Sequence, residues 1–211
     1  KVYDGTTAAV LSGGGTFAGL LGTDVVQVDS ATAVFADKNV GTGKTVSASG
    51  ITLDGADAAN YTVTQPTGLT ADITAKALTV TGMAADNKTY DGNANATLNG
   101  GSLDGVIGLE DVTFSGQSGA FADKNAGTGK AVTVSGITLG GTDAANYTVT
   151  QPTGLTADIS AKALTVTGMT ANNKTYDGGT VATLSGGILS GVIGLDSVTL
   201  GSSTGTFADK N

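Results

Sequence analysis

The chain of 211 residues contains no cysteine, histidine or tryptophan, and every one of its 10 basic residues is lysine. Without Cys, disulfides and thiolate metal sites are impossible, so stability must come from packing. Without His or Cys the usual acid–base and nucleophile pairs cannot be assembled, so no enzyme, no catalytic residue and no cofactor-binding residue is expected. Only 2 prolines stand beside 34 glycines, which excludes both collagen and Pro-rich disorder. Glutamate is nearly absent as well: of 18 acidic residues all but Glu110 are Asp, and short Asp side chains suit turns better than helices. The formal charge of −8 repels nucleic acid and anionic lipid, so neither is an expected partner. No apolar run is long enough to insert in a membrane. A Cys-free chain also suits an exported protein that crosses an outer membrane unfolded.

What is present is a β composition: Thr and Val favour a half-buried pleated surface, and Gly, Asp and Asn favour the turns between strands. Internal similarity organises it. The string FADKN begins at Phe35, Phe121 and Phe207, a step of 86 residues each time. NYTVTQPTGLTAD begins at Asn60 and Asn146, and AKALTVTGM at Ala75 and Ala161, again 86 apart. YDG recurs at Tyr3, Tyr90 and Tyr176, with one extra residue between Tyr3 and Phe35 in the first copy. From Phe35 to Gly92 and from Phe121 to Gly178, 9 of 58 positions differ. A period of this length is too long for a solenoid unit and fits one small β domain. The copies then read as residues 1–74, lacking a first strand, 75–160, complete, and 161–211, lacking the last strands.

Alternation and turn chemistry place strands near Ala77–Thr81, Ala94–Leu98, Asp111–Ala122, Ala131–Leu139, Tyr147–Gln151 and Leu155–Ile159. Gln65-Pro66-Thr67-Gly68 reads as a type I turn joining Tyr61–Thr64 to Leu69–Ile73 in a hairpin. Asn39–Gly43 reads as a second hairpin loop, and Asp57-Ala58-Ala59 as a single helical turn. DITAKALTV has no break, so the last strand of one copy passes directly into the first strand of the next.

The motifs KxYDG, FADKNxGTGK, GxDAANYTV and AKALTV, in this order and spacing, resemble the YDG-type tandem repeats of large bacterial surface adhesins and filamentous-haemagglutinin-like exoproteins. The resemblance implies an extracellular, cell-surface array, and no ligand. Asp57-Ala58-Ala59-Asn60-Tyr61-Thr62-Val63, repeated from Asp143 to Val149, is similar to the tyrosine-corner segment of immunoglobulin domains, although the Cys pair and core Trp are missing. The expected fold is therefore all-β: tandem small Ig-like sandwiches arranged end to end as a rod, with β-grasp-like repeats as the alternative.

Candidate positions follow. Asp4, Asp37, Asp57, Asp91, Asp123 and Asp143, with Asp54 and Asp86, are Ca²⁺ candidates, since hard oxygen ligands suit that ion, but no DxDxDG loop exists and Asp otherwise serves turns. The DKN triads (Asp37-Lys38-Asn39 and its copies) raise a Lys–Asn isopeptide, for which Lys38 would need a partner such as Asn60. Gly41-Thr42-Gly43-Lys44-Thr45 lacks the Gly of a phosphate loop, for Lys38 stands in its place. Tyr3, Tyr90 and Tyr176 are expected to cover the end of a core, with Gly5, Gly92 and Gly178 supplying positive φ, and Tyr61 and Tyr147 to be corner tyrosines. Exposed Tyr rings would instead stack on sugars. The functional expectation is a structural stalk whose partners are neighbouring repeats. Multivalent weak glycan or surface binding, and a filament that exchanges strands between copies, are the alternatives.

Overall fold

The structure, a computed structural model, describes residues 1–12 and 16–211. It is all-β, as the composition requires, with two single-turn 3₁₀ segments at Ala58–Asn60 and Ala144–Asn146 where the helical turn was expected.

The first copy builds a sheet in the order Ala8–Ala9, Gln27–Phe35, Gly41–Asp54, Leu69–Ile73, antiparallel throughout. Phe35 faces Val46, and Val46 faces Leu69 on the next strand, so one face gathers Ala33, Phe35, Val46 and Ile73, all buried. Alternation by two residues is what puts them there. The Asn39–Gly43 loop does connect two paired strands. The second copy repeats this sheet with Asn95–Ala96, Ser118–Phe121, Gly127–Ser135 and Leu155–Ser160, and Lys88–Thr89 runs parallel to Ile159–Ser160 as Val2 does to Thr74 in the first copy.

A second kind of sheet has the order Tyr147–Thr150, Lys76–Ala85, Leu98–Asp104. Here Tyr147–Thr150 runs parallel to Lys76–Thr79, Val149 standing beside Leu78. Thr113–Ser115 pairs with Thr138–Gly140. Two of the sheets thus contain parallel pairs, whereas immunoglobulin sheets are antiparallel.

Two expectations are corrected. Tyr61–Thr64 does not form a hairpin with Leu69–Ile73: the latter pairs with Gly41–Val46, and the copy of the former, Tyr147–Thr150, lies in the other sheet. Beside it stands a contact 14 residues up the chain. Gln65 turns its side chain onto the backbone of Ile51, donating through Nε2 to the carbonyl (3.1 Å) and accepting the N–H at Oε1 (3.1 Å). Gln151 does the same at Ile137, so a side chain occupies the place of the ladder and Pro leads the chain away. Second, the long strands expected at Asp111–Ala122 and Ala131–Leu139 are each split. Gly116 and Gly136, both at φ +79°, face each other there, and a Cβ on Gly116 would lie 2.8 Å from the Gly136 carbonyl oxygen.

The chain divides into two compact units, residues 1–83, 100–117 and 135–152 in one, and 84–99, 118–134 and 153–211 in the other. The compact units and the 86-residue period are different divisions: the second copy contributes to both units. In the first unit the core consists of Tyr3, Ala33, Phe35, Val46 and Ile73 from the first copy with Leu78 and Tyr147 from the second. In the second unit Phe121, Val132, Ala157 and Ile159 are buried together.

Candidate functional site

Each YDG motif folds locally in the same way. Lys1 Nζ reaches Asp4 Oδ1 (2.7 Å) and the Thr6 carbonyl (2.8 Å), while the same Asp4 oxygen accepts the Thr6 N–H (2.9 Å). Lys88–Asp91–Asn93 and Lys174–Asp177–Gly179 repeat the arrangement. The ammonium bond to Lys1, with the Thr6 N–H second, lowers the Asp4 carboxyl to about 2. Each Lys also lies over the Phe of the nearby FADKN, 5.6 Å from the Phe35 ring, 5.5 Å from Phe121 and 5.9 Å from Phe207. Gly5, Gly92 and Gly178 adopt φ of +77°, +84° and +78°, the left-handed turn that YDG requires.

The DKN motif is a second local unit. Asp37 Oδ1 accepts the Asn39 N–H (2.8 Å) and Lys44 Nζ (2.7 Å), and Asp123 takes Asn125 and Lys130 likewise. Lys38 points away from this cluster and meets Glu110 Oε1 at 2.6 Å, 5.9 Å from the Tyr3 ring. It does not engage Asn60. The bond to Glu110, then that to Tyr3, raises its pKa and keeps the amine protonated, which opposes the nucleophilic amine an isopeptide needs.

Glu110 is where two copies join. Its carboxylate accepts the hydroxyls of Tyr3 (2.5 Å) and Tyr147 (2.5 Å) as well as the Lys38 ammonium. Tyr3 and Lys38 come from the first copy, Glu110 and Tyr147 from the second. The two rings pack edge to face at 5.4 Å. The Ile107 N–H donates to the Tyr147 hydroxyl (3.0 Å), so the corner tyrosine does tie down an upstream backbone group. Asn146, buried, accepts the Val40 N–H at Oδ1 (3.0 Å) and donates to Asn39 Oδ1 (3.3 Å), again across the two copies. Burial of the Glu110 carboxyl pushes its pKa up, but hydrogen bonds from Lys38, Tyr147 and Tyr3 outweigh this and hold it at about 2. Burial first, then Glu110, pushes Tyr147 up to about 12.

The joint recurs in the second unit, where Asp196 accepts Tyr90 OH (2.7 Å) and Lys124 Nζ (3.2 Å), with Lys124 5.8 Å from the Tyr90 ring. In the first copy Asp24 holds the Tyr61 hydroxyl (2.5 Å). Tyr3 is 2% exposed, and what buries its ring is the second copy, through Glu110, Tyr147 and Leu78.

No motif marks the acid at positions 24, 110 and 196 as a functional residue. Its recurrence at the 86-residue step was the available signal. The Ca²⁺ candidates are dispersed: Asp4, Asp37, Asp91 and Asp123 are held by lysines, and Asp57 and Asp143 accept the backbone N–H groups of Val25 and Asp111 (2.8 and 2.9 Å). Asp54 is bonded by Gln27 and Asp86 by Asn99. Among the described residues no three acidic side chains converge as a metal site would need. Excess EDTA is accordingly expected to leave the melting temperature unchanged, which differential scanning calorimetry checks.

No curated protein and no solved structure matches the chain significantly. The family model of the YDG domain matches residues 1–68, 74–154 and 160–211. These three segments take in the KxYDG turn, the FADKN loop and the carboxylate joint, and the chain belongs to the YDG domain family.

Proposed function

We propose that these repeats are a structural spacer, a stalk of a bacterial surface adhesin or related extracellular filament whose length is set by copy number. The observation that carries this reading is the shared core at the joint: Tyr3, Lys38 and Asn39 of one copy close around Leu78, Glu110 and Tyr147 of the next. Only residues 74 and 75 separate the strand Leu69–Ile73 from Lys76–Ala85, so nothing resembling a Gly/Ser linker intervenes. A buried joint of this kind restricts bending between copies, which is what a spacer needs. The extracellular setting rests on the resemblance to surface adhesins. The glycan-binding alternative asks the recurring Tyr to be open for stacking, and Tyr3, with its joint complete, is not.

Small-angle scattering tests the reading. A compact chain of this length would have a radius of gyration of about 17 Å. The spacer predicts a clearly larger value that grows in proportion to copy number when a further repeat is added, and a radius near the compact value would remove the stalk.

A further inference from the structure

The chain enters the second copy on Lys76–Ala85 and leaves it on Leu155–Ser160. Each of these strands has a parallel neighbour. Lys76, Ala77, Leu78 and Thr79 stand beside Tyr147, Thr148, Val149 and Thr150, and Ile159 and Ser160 stand beside Lys88 and Thr89. The chain leaves the first copy in the same way, with Thr74 bridged in parallel to Val2. Among the described ladders, parallel pairing occurs only at these entries and exits, and the others are antiparallel.

The direction of a ladder decides how it meets a pull along the chain. Tension draws the entry strand towards its N-terminal end and the exit strand towards its C-terminal end. Tyr147–Thr150 lies downstream of its partner, and Lys88–Thr89 lies upstream of its own. Within each ladder the two strands are therefore drawn in opposite directions along their common axis. The evenly spaced rungs of a parallel ladder are then strained together. A ladder pulled from one end loses its rungs singly.

We propose that these ladders form a tension clamp, and that bearing tensile load along the chain is a function of the repeat. The proposal rests on the spacer reading, which supplies the load.

The exit is reinforced beyond its ladder. The Tyr90 N–H donates to the Ser160 carbonyl (2.8 Å), the Ser160 hydroxyl to the Lys88 carbonyl (3.3 Å) and the Asp158 N–H to Asn87 Oδ1 (2.7 Å). In the first copy the Tyr3 N–H donates to the Thr74 carbonyl (2.8 Å), and the Thr74 N–H to the Lys1 carbonyl (2.8 Å). The Thr74 hydroxyl reaches the same Lys1 carbonyl (3.4 Å), so both copies end on a residue whose hydroxyl joins the clamp. Entry and exit strands are anchored sideways as well. Leu78 is 0% exposed, Ile73 1% and Ile159 2%, so sliding any of these strands drags a side chain out of close packing. The segment that holds Thr74 also carries the YDG tyrosine, whose hydroxyl is bound by Glu110 of the next copy. One segment thus ties the exit of a copy to the core that follows.

The experiment pulls the 211-residue chain in optical tweezers at constant force. Because the chain has no Cys, a pair of introduced thiols fixes the points where the DNA handles attach. Ala75→Cys with Ala161→Cys loads the second copy from entry to exit. Asn93→Cys with Ala161→Cys pulls the exit ladder apart from one end, and Gly179 at the equivalent place in the third copy shows that the position tolerates change. Ala75→Cys with Ala145→Cys, both on side chains outside the core, does the same for the entry ladder. At equal force the entry-to-exit pair should unfold at least ~10-fold more slowly than either of the others, the factor given by ~1.4 kcal/mol of barrier. The double variant Asn87→Ala, Ser160→Ala should speed unfolding in the entry-to-exit geometry. Equal rates in all geometries, or the slowest unfolding in a one-ended geometry, overturn the clamp. A compact radius of gyration would remove the stalk and leave the dependence on pulling direction intact, whereas equal rates would remove the clamp and leave an extended chain, so the two readings fail separately.

Discussion

Tyr147→Ala is expected to lower the unfolding free energy by about 3–5 kcal/mol, the usual cost of truncating a buried aromatic side chain. Tyr61→Ala, the same residue of the same motif one period earlier, should cost only about 1–2 kcal/mol. The difference lies in the surroundings. Tyr147 is 6% exposed, packs edge to face on Tyr3 and sits in the core with Leu78 and Phe35. Tyr61 is half-exposed, and its recorded partners are Asp24 and Leu21 at the hydroxyl. Urea unfolding followed by circular dichroism compares the two. Equal losses would mean that the motif acts within its own copy, and that the preceding copy adds nothing.

Glu110→Ala should cost about 2–4 kcal/mol at neutral pH, because it leaves the hydroxyls of Tyr3 and Tyr147 and the Lys38 ammonium without their acceptor. The pH dependence has a defined sign. The folded-state pKa of Glu110, about 2, lies below its ordinary value of ~4.3, so the folded state favours the ionised form. Its contribution is fully present above ~4.3 and is lost as pH falls through about 2. Asp4, lowered to about 2 by Lys1 and Thr6, acts in the same direction. The melting temperature of the native chain should therefore drop between about pH 4.5 and 2. Glu110→Gln should show a shallower drop, and the two curves should converge at the acid end. Parallel curves would remove the carboxylate from its place at the joint.

Features set by neighbours in the sequence were legible. The 86-residue period, the left-handed Gly of YDG, the 3₁₀ turn before Tyr61 and Tyr147 and the hairpin through Asn39–Gly43 all rest on a few adjacent residues. What escaped was non-local. Tyr147–Thr150 alternates as any strand would, and nothing in it shows that its partner is Lys76–Thr79, in parallel. The hairpin expected after Gln65 fails because that side chain binds backbone 14 residues upstream. Glu110 lies 107 residues from Tyr3 and 72 from Lys38, so the joint existed in the sequence only as a recurring acid after Gly-Leu at 110 and 196. Gly116 and Gly136 interrupt two strands that composition alone would leave continuous, because their effect depends on facing each other.

The central claim is that successive copies share one core through Tyr3 and Glu110. A double-mutant cycle with Tyr3→Phe, Glu110→Gln and the pair, each measured by chemical denaturation of the whole chain, tests it most directly. Residues in contact within one hydrogen-bond network couple by ~0.5–3 kcal/mol, and a value of about 1 kcal/mol or more is predicted here. Free energies that add to within ~0.3 kcal/mol would show that the two copies are energetically independent, and would contradict the account.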